Sequence, residues 1–600
     1  MDLFLGLKLI DIAVIIGYFV VVTLVGFWAS FKVKTDEDYF LGGRTFGKGL
    51  LIMHFLCTGT HSEHAVQVAG ATARFGLGGI WYQWMWLFST PFYWLIAPML
   101  RRMRVVTTGD FFRIRYNRSL EMLYTCVSQL FLILSIAMLL RGAGAAIAGA
   151  TGGAIPTDLS IYILAILFST YIMVGGLMAA AYTDYLQGVM IVALSILLIP
   201  GGLALIGGMS TVQKTLGPEM LSITAPAKAL EGNIWFVLSM SVLGLVGIVV
   251  QPHIMTASGA GKSEWEARVG MCFGNFIKRF LTIAWAFTGL IAVVRFPEVL
   301  KGLDPGSEAG KHASETLFGM AIQHFLGDGW RGLMIACIIA GVTSAEALMV
   351  VGAGLFTRNF YQHAVPSASE QHYLWVGRAA AAGSLLAGII VASVAGSVTQ
   401  LINIAFQLIG LMGAAFWLGA TWRRANSLAV WVSFLAAAGV WLVTAFKPAD
   451  FAQWPIVMPA VHQLFAMADL LHLRTDSRPM QIALMLSVEF GLLIVVSLIT
   501  PAQSRRQLDP FFARLYTPVG REQEFSLTTG LENLPESATL GMHGTVLDYE
   551  RASVLGYRGL QRWGIEIPRM TWSDWSGFLA AWGIVAGLIA LLAWLATLGR

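Results

Sequence analysis

The sequence predicts an all-α, polytopic membrane protein of about fourteen transmembrane helices. Three observations lead there: the composition, the recurrence of apolar runs about 20 residues long, and the placing of short cationic segments. Hydrophobic residues make up 56% of the chain and charged residues only 12%, with a mean hydropathy of +0.69. No water-soluble core needs that much apolar surface. Apolar windows of spanning length fall near residues 8–30, 47–70, 77–99, 120–150, 158–180, 184–207, 234–256, 270–293, 329–356, 374–396, 398–419, 425–445, 480–500 and 574–597. "FKVKTDED" after the first span, "RRMRVVTTGDFFRIRYNR" after the third, "WRRAN" after the eleventh and "QSRRQLD" after the thirteenth fall on one side. Cationic segments stay in the cytoplasm, which puts both termini outside a multi-pass protein of the cell (inner) membrane. The net charge of +5 expresses that rule and calls for the lipid bilayer, with no nucleic-acid partner.

Taken in order, residues 1–46 supply the first helix and an inner loop. The apolar run carries an early Asp11 and no A-x-A-like cleavage site, so it reads as a retained span. Residues 47–233 and 234–424 form two successive five-helix groups, and each begins with an interrupted helix. In the second span the interruption is "CTGTHSEHAVQVAGATARFGLGG"; in the seventh, Pro252 removes a backbone donor and disfavours helix at Gln251. Unwound backbone at membrane depth survives only where it lines a cavity or is buried in protein. A pair of such breaks in corresponding positions points to an inverted-repeat transporter site. Residues 425–500 add further spans around an outer loop (446–479), residues 501–572 form a polar cytoplasmic segment with no phosphate-binding spacing, and residues 573–600 carry the last span.

Four groups of residues invite chemistry. Glu63 is an ionisable side chain inside a span; such residues default to function, and the bland alternative is an ion pair that fixes helix packing. His54, Cys57, His61 and His64 invite a metal reading, but "HSEH" spaces its histidines three apart where the zinc-protease helix needs four. Thr343 and Ser344, beside Glu346 in the ninth span, offer two hydroxyls to a hard cation, or else bond back to their own helix. Cys57, Cys126, Cys272 and Cys337 lie inside predicted spans without a pairing pattern and read as small apolar residues.

These segments resemble the sodium/solute symporter family. "DYFLGGRTFG" (38–47), "TTGDFFRIRYN" (107–117), "VGGLMAAAYTDYLQGVMIV" (174–192), "QPHI" (251–254) and "LFTRNFY" (355–361) are similar to its motifs in order and spacing, from about residue 8 to 500. The resemblance implies a LeuT-type inverted five-helix repeat with extra helices. It implies Na+ as the coupling ion, held by carbonyls of Cys57, Thr60 and Ala340 and hydroxyls of Thr343 and Ser344, with Asp184 at the inner end. It places a small polar solute against His64, Gln83, Gln251, His253 and Lys278, and Glu63, singled out by its own charge, joins this set by orienting the unwound segment. His64, Gln83, Gln251 and His253 depart from the sugar-transporting branch, while Lys278 is kept; losing an acid at 83 suits a solute bearing a carboxylate. Lys278 also fits a snorkelling role near a helix end.

The expected function is sodium-coupled symport of a sugar, amino acid or carboxylate, not enzymatic catalysis. Proton coupling through His61 and His64 is the alternative. A membrane metalloenzyme using His54, His61 and His64, or a transceptor signalling through residues 501–572, are rivals from other classes.

Overall fold

The computed structural model describes residues 5–31, 42–171, 176–224, 232–343, 345–448, 458–475, 477–516, 518–519, 525–526, 545–546, 563–567 and 570–598. Side chains of 167–180 and 342–347 are outside that description, as are Ser344 and most of the "FKVKTDED" loop. Among the described residues, apart from one two-residue antiparallel pair, Phe525–Ser526 with Thr545–Val546, the regular structure is helical.

The elements used below run in chain order. They begin with α1 (Leu9–Ser30), α2 (Lys48–Thr58), α3 (Ser62–Phe75), α4 (Thr90–Met103), α5 (Thr108–Arg115) and α6 (Arg118–Ala150). After these come α7 (Thr157–Tyr171), α8 (Gly176–Ile206), α9 (Ile234–Ile248), α10 (Pro252–Gly259) and α11 (Glu264–Arg295). The second half holds α12 (Glu308–Glu315), α13 (Leu317–Phe325), α14 (Trp330–Thr343), α15 (Ala345–Gly354), α16 (Glu370–Val394), α17 (Val398–Gly410) and α18 (Gly413–Thr421). It closes with α19 (Ser427–Ala445), α20 (Arg478–Ile499), α21 (Arg505–Tyr516) and α22 (Trp572–Thr597).

Among the described residues nine helices are long and apolar enough to cross a membrane, or ten if the bent pair α9–α10 is one span. The sequence-derived count of about fourteen spans includes segments that are shorter or broken here. The third predicted span, 77–99, is one such case: a tight turn at Gly76–Ile80 and a single helical turn at Trp81–Trp84 precede α4. Gly79 lies so close to α3 that a Cβ would come within 2.5 Å of Ala71 C, and Pro91 sets the helix start. The eleventh predicted span keeps its length across α17 and α18, with a turn at Leu411–Met412 after which Glu489 in α20 accepts the N–H of Ala414 (3.0 Å) and caps α18.

The long helices sort by exposure. α6 and α11 are buried along most of their length and form the centre, whereas α1, α16, α20 and α22 leave apolar residues such as Ile16, Leu24, Ile390, Leu498 and Leu579 exposed. In a bilayer an apolar outer face is the solvated one. α2 and α3 lie against the two central helices. Gly270 and Gly274 of α11 allow this approach, since Cβ atoms there would fall 2.5 Å from Leu51 Cβ and 2.6 Å from Ile52 O.

Candidate functional site

The break between α2 and α3 follows from its residues. Thr58 returns its hydroxyl to His54 O (2.6 Å), Gly59 is a poor helix former, and His61 adopts extended backbone with φ −125° and ψ 173°. The carbonyls freed there find unusual donors. Thr60 N–H reaches Cys57 O (3.0 Å), the His61 ring lies 3.1 Å from Thr58 O, and the Lys278 ammonium donates to Gly59 O. The His64 ring in turn accepts the His61 N–H at 3.3 Å, and the two imidazoles stack with centroids 6.0 Å apart.

The second break comes where Pro252 opens α10, and the axis turns by 55° from α9. Gln251 takes extended backbone as the residue before a proline should, and the freed Val250 carbonyl accepts the Tyr124 hydroxyl at 2.8 Å.

Both breaks face one cavity, which together with the open space at its mouth spans about 680 Å³. Thr58, Gly59, His61, Glu63 and His64 line it from the first break, and Gln251, His253 and Ile254 from the second. The long helices add Ser135 and Met138 from α6 and Asn275, Lys278 and Arg279 from α11; Trp86, Phe131 and Phe406 complete an aromatic wall. A concave site lined mostly by apolar residues with a few convergent polar groups is what a small solute needs. A second cavity of about 370 Å³ lies between Thr60, His61, Ser62 and the α14 residues Cys337, Ile338 and Gly341.

Five of the six expected solute residues therefore meet: Glu63, His64, Gln251, His253 and Lys278. Gln83 does not line the cavity. Its amide donates to Gln67 (3.1 Å), and its backbone carbonyl accepts Arg279 Nη1 at 3.0 Å, so the tight turn before α4 rotates it away. Arg279 and Asn275 carry a signal the sequence reading passed over, because 275, 278 and 279 fall on one face of a helix.

Of the expected sodium residues, Cys57 and Thr60 belong to the first break and Asp184 packs against it. Cys57 donates its thiol to Asp184 O (3.1 Å), and Asp184 Oδ2 lies 2.8 Å from His54 Nδ1, so α8 is tied to the end of α2. Ala340 is buried one residue before Gly341, where an added Cβ would come within 3.9 Å of Ser62 N. The Thr343 side chain and Ser344 lie outside the described residues. The metalloenzyme reading is not supported: among the described residues no group of three or more His, Cys, Asp or Glu side chains gathers to hold a metal. His54 is turned toward Asp184, whereas His61, His64 and Lys278 line the cavity.

The model of the "Sodium:solute symporter family" matches residues 39–437. A "Sodium/glucose cotransporter" of Vibrio parahaemolyticus is 25% identical over 485 residues, covering 74% of this chain and 86% of the relative. "Sodium/myo-inositol cotransporter 2" of Oryctolagus cuniculus is 25% identical over 454 residues, covering 69% and 67%. Among solved structures, the chain resembles a Na+-coupled sialic acid symporter in a substrate-bound, outward-open state, with a TM-score of 0.63 and 18% identity, covering 83% of this chain and 99% of that one.

Proposed function

From the premise that this chain belongs to the sodium:solute symporter family, we propose that its two broken helices form one working site for sodium-coupled symport. The chain is a multi-pass membrane transporter that couples sodium to a small polar solute. The solute occupies the cavity between the breaks, in contact with Glu63, His64, Gln251, His253 and Lys278. Sodium sits on the far side of the first break, on carbonyls of Cys57, Thr60 and Ala340 and hydroxyls of Thr343 and Ser344, with Asp184 bracing α2. The observation that carries this reading is the meeting of both breaks at a single cavity, which buried irregular backbone in a membrane protein requires.

The architecture is a LeuT-type inverted repeat, residues 47–233 and 234–424, within about fourteen spans of the cell (inner) membrane, with both termini outside. Sodium joins the end of α2 to α14 and favours the solute-binding form, after which rocking opens the inner side. The membrane field supplies about 2.3 kcal/mol per sodium charge at 100 mV. That is roughly fortyfold accumulation, so one sodium makes the cycle useful.

The test is isotope-labelled sodium uptake into proteoliposomes with sugars, amino acids and carboxylates added one at a time. Solute-stimulated sodium entry is expected in the wild type, and its loss when Thr343→Ala is combined with Ser344→Ala. Stimulated entry that survives the double substitution would move the sodium site elsewhere.

A further inference from the structure

Two opposite charges line the cavity without meeting. Lys278 is 4% exposed and Glu63 2%, and among the described residues no ion pair joins them. Glu63 Oε2 has no hydrogen-bond partner among the described residues, and Glu63 Oε1 stands 3.9 Å from His64 Nε2. Lys278 spends one of three ammonium donors on Gly59 O, at the break itself. Both cations lie 5.6 Å from the centre of the Trp86 ring, but Arg279 also donates to Gln83 O (3.0 Å) and Asn275 Oδ1 (3.4 Å). Arg279 frames the wall, and Lys278 has donors to give.

Resting on the symporter reading, we propose that the transported solute is an amino-acid zwitterion with an apolar side chain. Its carboxylate takes the remaining Lys278 donors, its protonated amine takes Glu63 Oε2, and its side chain packs among Phe55, Trp86, Phe131 and Phe406. Buried charges are tolerated when paired and hydrogen-bonded, and a zwitterion pairs both at once while adding no net charge to the site. A neutral polyol leaves Lys278 and Glu63 without counter-charges. A simple carboxylate satisfies Lys278 and adds nothing for Glu63. The arrangement also joins solute to ion, since the ammonium that receives the carboxylate is bonded to the carbonyl between Cys57 and Thr60.

The probes are labelled phenylalanine, phenylpropionate (the same molecule without its amine), phenylethylamine (without its carboxylate), glucose and myo-inositol, each in proteoliposomes under an imposed sodium gradient. Sodium-driven uptake of phenylalanine is expected, with little of the amine or the sugars. Lys278→Met should raise the KM for phenylalanine by about tenfold or more. Glu63→Gln should raise uptake of phenylpropionate relative to phenylalanine by about tenfold, a change of preference that a misfolded variant does not show. Sodium-coupled uptake of glucose or myo-inositol that phenylalanine does not inhibit would overturn the zwitterion and leave symport standing. So would equal uptake of phenylpropionate and phenylalanine by the wild type. Absence of solute-stimulated sodium entry across the wider panel would instead overturn the symporter reading.

Discussion

At the scale of single residues, the site depends on how closely its neighbours approach. Gly142 of α6 touches the backbone of α3: a Cβ there would lie 2.4 Å from Glu63 Cβ and 2.5 Å from its Cα. Neither atom belongs to a flexible side-chain end, so Gly142→Ala must move the start of α3. Overpacking of this kind costs about 1–3 kcal/mol, and here the displaced residue carries the carboxylate. The expected result is folded, membrane-inserted protein whose solute KM rises several-fold, read from sodium-driven uptake; an unchanged KM would show that α3 yields without disturbing Glu63. Residue identity was informative where charge is costly. Glu63 and Lys278 stand out in an apolar sequence because buried charge needs a reason. Gln83 misled because its chemistry is legible and its direction is not: the turn at Gly76–Ile80, packed against α3, decides where it points.

Elements were legible where the backbone chemistry is local. Pro252 and the Gly-Thr-His run at 59–61 interrupt helices by their own conformational preferences, and both breaks fall where the sequence puts them. The turn after α17 was not legible, because its cap comes from Glu489, which lies 75 positions away from Ala414. Another distant cap yields a pH dependence. Glu315, at the end of α12, accepts the Val398 N–H (2.6 Å) at the start of α17 and lies 3.9 Å from Arg141. Burial pushes its carboxyl up from the ordinary 4.5 to about 7, with Arg141 opposing. Between those values the folded chain holds a proton that the unfolded chain releases, so stability falls as pH rises through the window. The whole effect is at most about 3 kcal/mol. The detergent-solubilised protein should melt lower at pH 8 than at pH 5, and Glu315→Gln, which keeps an acceptor for Val398, should flatten the difference. An equal slope in the variant would assign it to other groups.

The whole molecule shows one relation that periodicity does not carry, the fastening together of its cationic loops. Arg115 donates to Gly419 O (2.6 Å), Trp422 O (2.8 Å), Ala425 O (3.0 Å) and Gln503 Oε1 (2.6 Å), which joins the loops after the third, eleventh and thirteenth predicted spans at one end. The sequence reading leaves residues 501–572 polar and partly ordered, without catalysis. Their described portions are structural: α21 buries Phe511 and Phe512, and Val519 N–H binds Glu264 (2.7 Å). Arg423 completes the clasp, reaching Asp509 at 2.8 Å and Glu566 at 2.5 Å, while Glu566 N–H returns to Thr421 O at 2.6 Å. None of these side chains lines either cavity. The clasp should therefore govern stability and leave solute affinity alone. Charge-assisted hydrogen bonds that are partly shielded from water contribute about 1–3 kcal/mol. In a cycle of Arg423→Ala, Glu566→Ala and the double variant, each single change should lower the melting temperature and the double should lose less than the sum, with every KM within about twofold of wild type. Strictly additive losses would mean that the two side chains act independently, and a shifted KM would mean that the clasp reaches the solute site through the helices it joins.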